Sequence, residues 1–114
     1  MFAQDPAAVD KAFEALKTYD WGTDRNTLKA IDDAVTATYG DAAARKALET
    51  RLAAVLKTGA SRPAKEFVCR KLALIGTAEC VPAAAALLAD KDLSHPARMA
   101  LERIPAPEAA AALR

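Results

Sequence analysis

Phe67-Val68-Cys69-Arg70-Lys71-Leu72-Ala73-Leu74-Ile75-Gly76-Thr77-Ala78-Glu79-Cys80-Val81-Pro82-Ala83 reads as two short helices folded back on each other through a single glycine. Val68, Leu72 and Ile75 recur at helical spacing, Gly76 stops that run, and Thr77 can cap the next one, with Pro82 in its first turn. The pattern returns later in the chain. Pro96 through Ile104 is apolar-periodic, Pro105 breaks it, and Pro107 to Leu113 supplies an alanine-rich helix. Repetition of helix, tight break and helix predicts an all-α stack of hairpins, and such repeats build a surface without bringing a reaction with them.

Working outward, Asp5 and Pro6 mark the start of a first helix carrying Val9, Phe13 and Leu16, which ends before Trp21-Gly22. Asp24 or Thr27 can cap a second, with Leu28, Ile31, Val35 and Tyr39 on one face and Gly40 at its end. Asp41 opens a third with Leu48, Leu52, Val55 and Leu56, and Gly59 follows it. Ser61-Arg62-Pro63 opens the fourth, whose stripe of Val68, Leu72 and Ile75 has Phe67 and Leu74 beside it. The fifth helix buries Val81, Ala84, Ala85 and Leu88; Ser94 caps the sixth, with Ala97, Leu101 and Ile104 inward; the seventh runs from Pro107 into Arg114. No stretch alternates with the period of a strand. Pairing the second helix with the third, the fourth with the fifth and the sixth with the seventh gives about three antiparallel hairpins, with the first helix as an N-terminal cap.

Composition fits one domain over residues 1–114. Thirty residues are alanine, whereas Leu, Ile, Val and Phe together number 23, so the core has little bulk and suits closely stacked helices. The net charge of +1 disfavours nucleic acid and anionic membranes as partners recognised through overall charge. Its distribution is uneven: residues 1–41 hold four basic and eight acidic residues, net −4, and residues 42–114 hold 12 and seven, net +5. Eight Lys or Arg fall between residues 42 and 71, against Glu49 and Glu66. A solvated helical face is the favoured reading of that run.

Cys69 and Cys80 are too few for a disulfide framework. A hairpin turning near Gly76 leaves them roughly 9 Å out of register, so both are expected as small buried hydrophobes. No run reaches transmembrane length, and the N-terminus lacks the basic start and apolar stretch of a signal peptide, so the chain as written reads as cytoplasmic. Phe2-Ala3-Gln4-Asp5-Pro6 also resembles the residues around a cleaved export signal, which leaves an exported mature protein as the alternative.

The run from Val68 to Ala89, with Arg70, Leu72, Ile75-Gly76 and Val81-Pro82-Ala83-Ala84 leading to Leu87-Leu88, resembles a HEAT repeat of the short type found in phycobilisome-lyase-like and bacterial HEAT proteins. Ser94 to Leu113 resembles a second, shortened copy; the second and third helices match only in outline. The resemblance implies a right-handed α-solenoid, with residues 1–41 as an acidic cap and first helices and residues 42–114 as the HEAT-like hairpins, part of a longer array. It also implies that the second helix of each hairpin lines a concave surface. On that reading Lys46, Thr50, Ala53 and Lys57, opposite Leu48 and Leu52, form a cationic, small-residue stripe on the third helix. Some HEAT enzymes hold iron through His-Glu pairs, but His95 is the sole histidine and precedes Pro96, so nothing of that site carries over.

Chemistry-bearing constellations are sparse. Ser94 and His95 are neighbours that cannot face each other on a helix, which favours a cap over a nucleophile and base. One histidine and two isolated cysteines cannot close a zinc site, and Asp90-Lys91-Asp92 lacks the later ligands of a calcium loop. Asp32-Asp33 read as solvated charges, and no glycine-rich phosphate loop is present. Trp21 is expected to pack into the corner between the first two helices; the other reading makes it an exposed anchor for a partner. The expected function is a non-catalytic scaffold or protein-interaction module with no cofactor. Candidate binding residues are Lys46, Thr50, Lys57 and Trp21, and self-association through the C-terminal helix is a further option. The alternatives are a nucleic-acid-binding domain using residues 45–71 and a phycobilin-lyase-like enzyme, the latter on fold analogy alone.

Overall fold

The computed structural model describes residues 6–113. They form seven α-helices: α1 (Pro6–Leu16), α2 (Lys29–Ala37), α3 (Ala42–Leu56), α4 (Arg62–Ile75), α5 (Val81–Ala86), α6 (Ser94–Arg103) and α7 (Pro107–Ala112). Short 3₁₀ turns at Arg25–Leu28, Ala78–Cys80 and Leu87–Ala89 extend α2 and α5. No strand occurs among the described residues, and no helix there is long and apolar enough to cross a membrane.

The helix starts follow side-chain chemistry. Asp41 accepts from Ala44 N at 3.1 Å, Ser61 from Ala64 N at 3.3 Å, and Thr77 from Glu79 N at 3.2 Å, each satisfying an otherwise orphaned amide. Asp24 caps the 3₁₀ turn before α2 by accepting from Asn26 N at 2.9 Å. The cap expected at Asp5 lies outside the described residues, as does Arg114, into which the seventh helix is expected to run. Ser94 does not cap α6. It is that helix's first residue, and the loop before it is closed by Asp90, whose carboxylate accepts from Asp92 N and Leu93 N.

One cluster of buried residues runs from Val9 to Ala109. The broadest helix contact is between α4 and α6, where Ala64, Ala97 and Ala100 are fully buried with Val68, Leu72 and Leu101. Small side chains at such a contact let the backbones approach. Among consecutive helices, α1 packs on α2, α3 on α4, and α5 on α6, with α7 against both α5 and α6. The hairpin expected between α4 and α5 is not among the principal contacts, and α2 meets α3 only slightly. The Cα radius of gyration is 13.5 Å, and the extents are 40 × 34 × 16 Å. Two helices 8–10 Å apart span about 13–15 Å between their outer Cα atoms, so no more than two lie across the short axis.

Three expected core residues are exposed. Tyr39 is 86% exposed because α2 ends at Ala37 and Gly40, with φ +82°, turns the chain away before another helical step brings the ring inward. Leu74 is 59% exposed, since its neighbour Ile75 takes the inward position beside Leu72. Trp21 is 72% exposed and does not pack into the corner between α1 and α2. In α5 the buried face is Val81, Ala83, Ala84 and Leu87, one step from the expected Ala85 and Leu88, because the 3₁₀ turns at both ends change the period.

Gly76 ends α4 with φ −65°, so its role is room and not left-handed freedom. A Cβ there would lie 2.5 Å from Leu72 O, 2.9 Å from Cys80 Sγ and 3.1 Å from Ile104 Cδ1. Gly59 has open space around its Cβ position and no positive φ. Gly76→Ala should therefore lower unfolding free energy by about 1–3 kcal/mol, and Gly59→Ala should raise it by about 0.4–1 kcal/mol, both read from urea unfolding midpoints.

Candidate functional site

The third helix carries the one polar side chain that is both charged and fully buried among the described residues: Glu49, 1% exposed. Its neighbours Leu48 and Leu52 set the core stripe of α3, and Glu49 lies at the edge of that stripe, aimed at the corner between α4 and α5. There the Thr77 amide donates to Glu49 Oε2 at 2.7 Å, and the Thr77 hydroxyl donates to the carboxylate at 2.9–3.0 Å. The same hydroxyl oxygen accepts from Glu79 N. A chain of polar bonds thus runs from α3 through Thr77 into the turn that opens α5.

Glu79, held at the start of that turn, reaches back to Lys46 on α3 at 3.0 Å. Contact with Glu79 raises the Lys46 pKa above the usual lysine value. Beside them lies a shallow cleft of about 250 Å³, lined by Glu49, Thr50, Ala53, Ala54 and Lys57 from α3 and its end and by Glu79 and Cys80 from the turn before α5. Of the residues expected to bind, Thr50 and Lys57 line this cleft, and Lys46 stands beside it with its ammonium already paired. Lys57 has no ion-pair partner among the described residues. Trp21 is not part of the cleft; it sits on the connection after α1. Glu49 was legible only as one acid in a basic run, and its spacing from Leu48 and Leu52 gave no sign that it would turn inward.

Elsewhere the basic run is tied into the fold. Arg51 pairs with Asp10 at 2.9 Å and lies 4.1 Å over the Phe13 ring, fastening α3 to α1. Lys71 pairs with Asp32 and lies 5.1 Å from the Phe67 ring centre, while Arg25 stands 5.3 Å from the same ring and 3.8 Å from Asp32. Arg62 pairs with Glu66 at 3.0 Å. Ser61 donates its hydroxyl to Tyr19 O, linking the end of α1 to the start of α4. Lys46, Arg51, Arg62 and Lys71, half of the eight cations between residues 42 and 71, are thus engaged with carboxylates of this chain. Asp10 and Asp32 come from the acidic first segment.

Both cysteines are free and buried. Burial pushes the Cys69 thiol up to about 11, and burial with the Glu49 carboxylate nearby pushes Cys80 up to about 12. Neither is poised as a thiolate nucleophile at neutral pH. His95 is exposed at the start of α6. Among the described residues no group of three His, Cys, Asp or Glu is placed to hold a metal ion.

No family model, no curated protein and no solved structure matches the chain.

Two measurements check the site. Both thiol pKa values are raised on folding, so their stabilising share is present below the unfolded thiol value and lost as pH rises. Denaturant stability should accordingly fall between about pH 9 and the folded values near 11 and 12, and a double Cys69→Ala, Cys80→Ala variant should show a smaller fall over that range. In a cycle of Glu49→Gln and Thr77→Val, the two substitutions should couple by about 0.5–3 kcal/mol in urea unfolding; additive effects would contradict the bonded geometry.

Proposed function

We propose that this chain is a non-catalytic helical-repeat module that docks protein through the cleft on α3, and that its helices are arranged as a short right-handed α-solenoid of the HEAT type. The contact pattern supports the arrangement: α2, α4 and α6 form one run of neighbours, and α3, α5 and α7 another. The small extent along one axis, 16 Å, agrees with two rows of helices. On this reading the repeat frame is α1 with α2, α3 with α4, and α5 with α6, leaving α7 at the open end. That frame moves α3 into the first-helix row, so its cleft is not the concave stripe that the resemblance implies.

The observation that carries the docking reading is the pairing of a small-residue wall with an unpaired cation. Thr50, Ala53 and Ala54 leave room beside α3, and Lys57 contributes a charge that no carboxylate among the described residues neutralises. At about 250 Å³ the cleft lies below the roughly 300–1,000 Å³ typical of small-molecule sites, so it suits a side chain of a partner better than a metabolite. An acidic, partly apolar segment has the matching chemistry. Nucleic acid is not favoured, because half of the basic run is spent on internal pairs and a neutral overall balance supplies little steering.

Capture from nuclease-treated extract tests this reading, with wild type compared against Lys57→Glu. Lys57 is the informative position, since altering Lys46 would also break its pair with Glu79. A docked protein should be recovered by the wild type and lose about tenfold or more in affinity on charge reversal. Equal recovery by both proteins, or retention of nucleic acid alone before nuclease, would overturn it.

A further inference from the structure

We propose that the cleft on α3 receives the Trp21 turn of a second copy of this chain, so that the module associates with itself. The inference rests on the docking reading above and names its occupant.

Trp21 is the single tryptophan, it is 72% exposed, and it is held in a defined geometry. Thr23 N donates to Asp20 O at 3.0 Å, closing a four-residue turn with Trp21 in its second position. Gly22, at φ +90°, takes the left-handed position that such a turn requires. Asp20 braces it from within: its carboxylate accepts from Trp21 N at 2.8 Å, and its own amide donates to Thr23 Oγ1 at 3.2 Å. Tyr19, one residue earlier, is anchored by the Ser61 hydroxyl. A large aromatic on a braced turn needs little ordering on binding, which is what distinguishes an anchor from a mobile exposed ring.

Size and charge match this anchor to the cleft. The volume of about 250 Å³ is on the scale of one large side chain, and Ala53 and Ala54 give an apolar wall for the ring. Indole has one donor and no acceptor, and the Glu79 carboxylate at the cleft has lone pairs beyond its bond to Lys46. Lys57 stands at the cleft to meet the ring face or an incoming carboxylate. The turn brings the opposite sign: Asp20 and Asp24 spend their carboxylates on backbone amides and pair with no cation among the described residues. Glu14 and Asp32 nearby are already paired with Lys17 and with Arg25 and Lys71. The unpaired charge at the turn is therefore acidic, and at the cleft the exposed unpaired charge is the Lys57 ammonium, the Glu49 carboxylate there being buried and bonded to Thr77.

The contact is small. A tryptophan buries about 150–250 Å², so even two reciprocal insertions fall short of the roughly 1,200 Å² of a stable complex. Weak association is therefore expected, in the range of about 100 µM to 1 mM, with the chain monomeric when dilute.

The lone indole reports its own burial. Emission spectra and sedimentation of the full chain would be recorded from about 1 µM to about 1 mM. The expected result is a shift of emission to shorter wavelength that tracks a rise in mass. Lys57→Glu should weaken association about tenfold or more, and Ala53→Leu, which fills the wall, should hold the indole at its dilute, exposed emission. Trp21→Ala, at a surface position, should abolish the mass increase. Circular dichroism confirms that each variant folds. A constant spectrum with monomeric mass up to about 1 mM overturns the proposal, as does association that survives Trp21→Ala. Lys57-dependent capture of a different protein by a chain that stays monomeric overturns the second copy as occupant while leaving the docking reading in place.

Discussion

A buried carboxylate that receives a backbone amide is the constraint on which the middle of this molecule depends. Removing Glu49 from water is costly unless its oxygens are satisfied. Thr77 satisfies them with its amide and hydroxyl, at the point where α4 has ended and the turn into α5 begins. The negative charge also faces the amino end of that turn, where exposed amides favour an anion. One interaction thereby ties α3 to the turn that follows α4 and that carries Glu79 to Lys46. Gly76 is needed at the adjacent position because the resulting corner has no space for a side chain against Cys80 and Ile104.

Charge is used here mainly as internal fastening. The acidic first segment and the basic middle segment look like two surfaces waiting for ligands when seen along the chain. Folding brings Asp10 to Arg51 and Asp32 to Lys71, so each segment neutralises part of the other. The Lys71 side chain is only 14% exposed and lies against Phe67, a setting in which an ion pair is screened less than at the surface. Among the described residues Arg45, Lys57, Lys65 and Arg70 of the basic run pair with no carboxylate, and Asp20, Asp24 and Asp41 of the first segment pair with no cation, so about half of each charge run is left for the surface.

The elements themselves were largely legible. Asp41, Ser61 and Thr77 cap where their side chains allow, and Gly40 closes a helix through a left-handed turn. What periodicity could not supply was the placement of residues at helix ends. Tyr39 belongs to the apolar stripe only if α2 continues one more turn, and Leu74 competes with Ile75 for a single inward position. Trp21 beside Gly22 is expected in a packed corner, but the same pair also fits a projecting turn, and the hydrogen bonds of Asp20 hold it as the second. The pairing of helices was hidden too, because every connection is short and any consecutive pair could fold together. Helical angle put Thr50 and Lys57 on one face of α3, and both line the cleft, whereas nothing pointed to a buried Glu49: a glutamate among leucines carries no local mark of burial, and its partner lies 28 residues away.

The proposed docking site adjoins that same corner, since Glu49 and Glu79 both line the cleft. The most direct measurement is hydrogen exchange at the Thr77 amide, compared between wild type and Glu49→Gln. In the wild type this amide should exchange slowly, at a rate set by opening of the surrounding helices, and it should lose about tenfold or more in protection when Glu49 becomes neutral. A Thr77 amide that exchanges as fast as the exposed loop amides, unchanged by Glu49→Gln, would contradict the account.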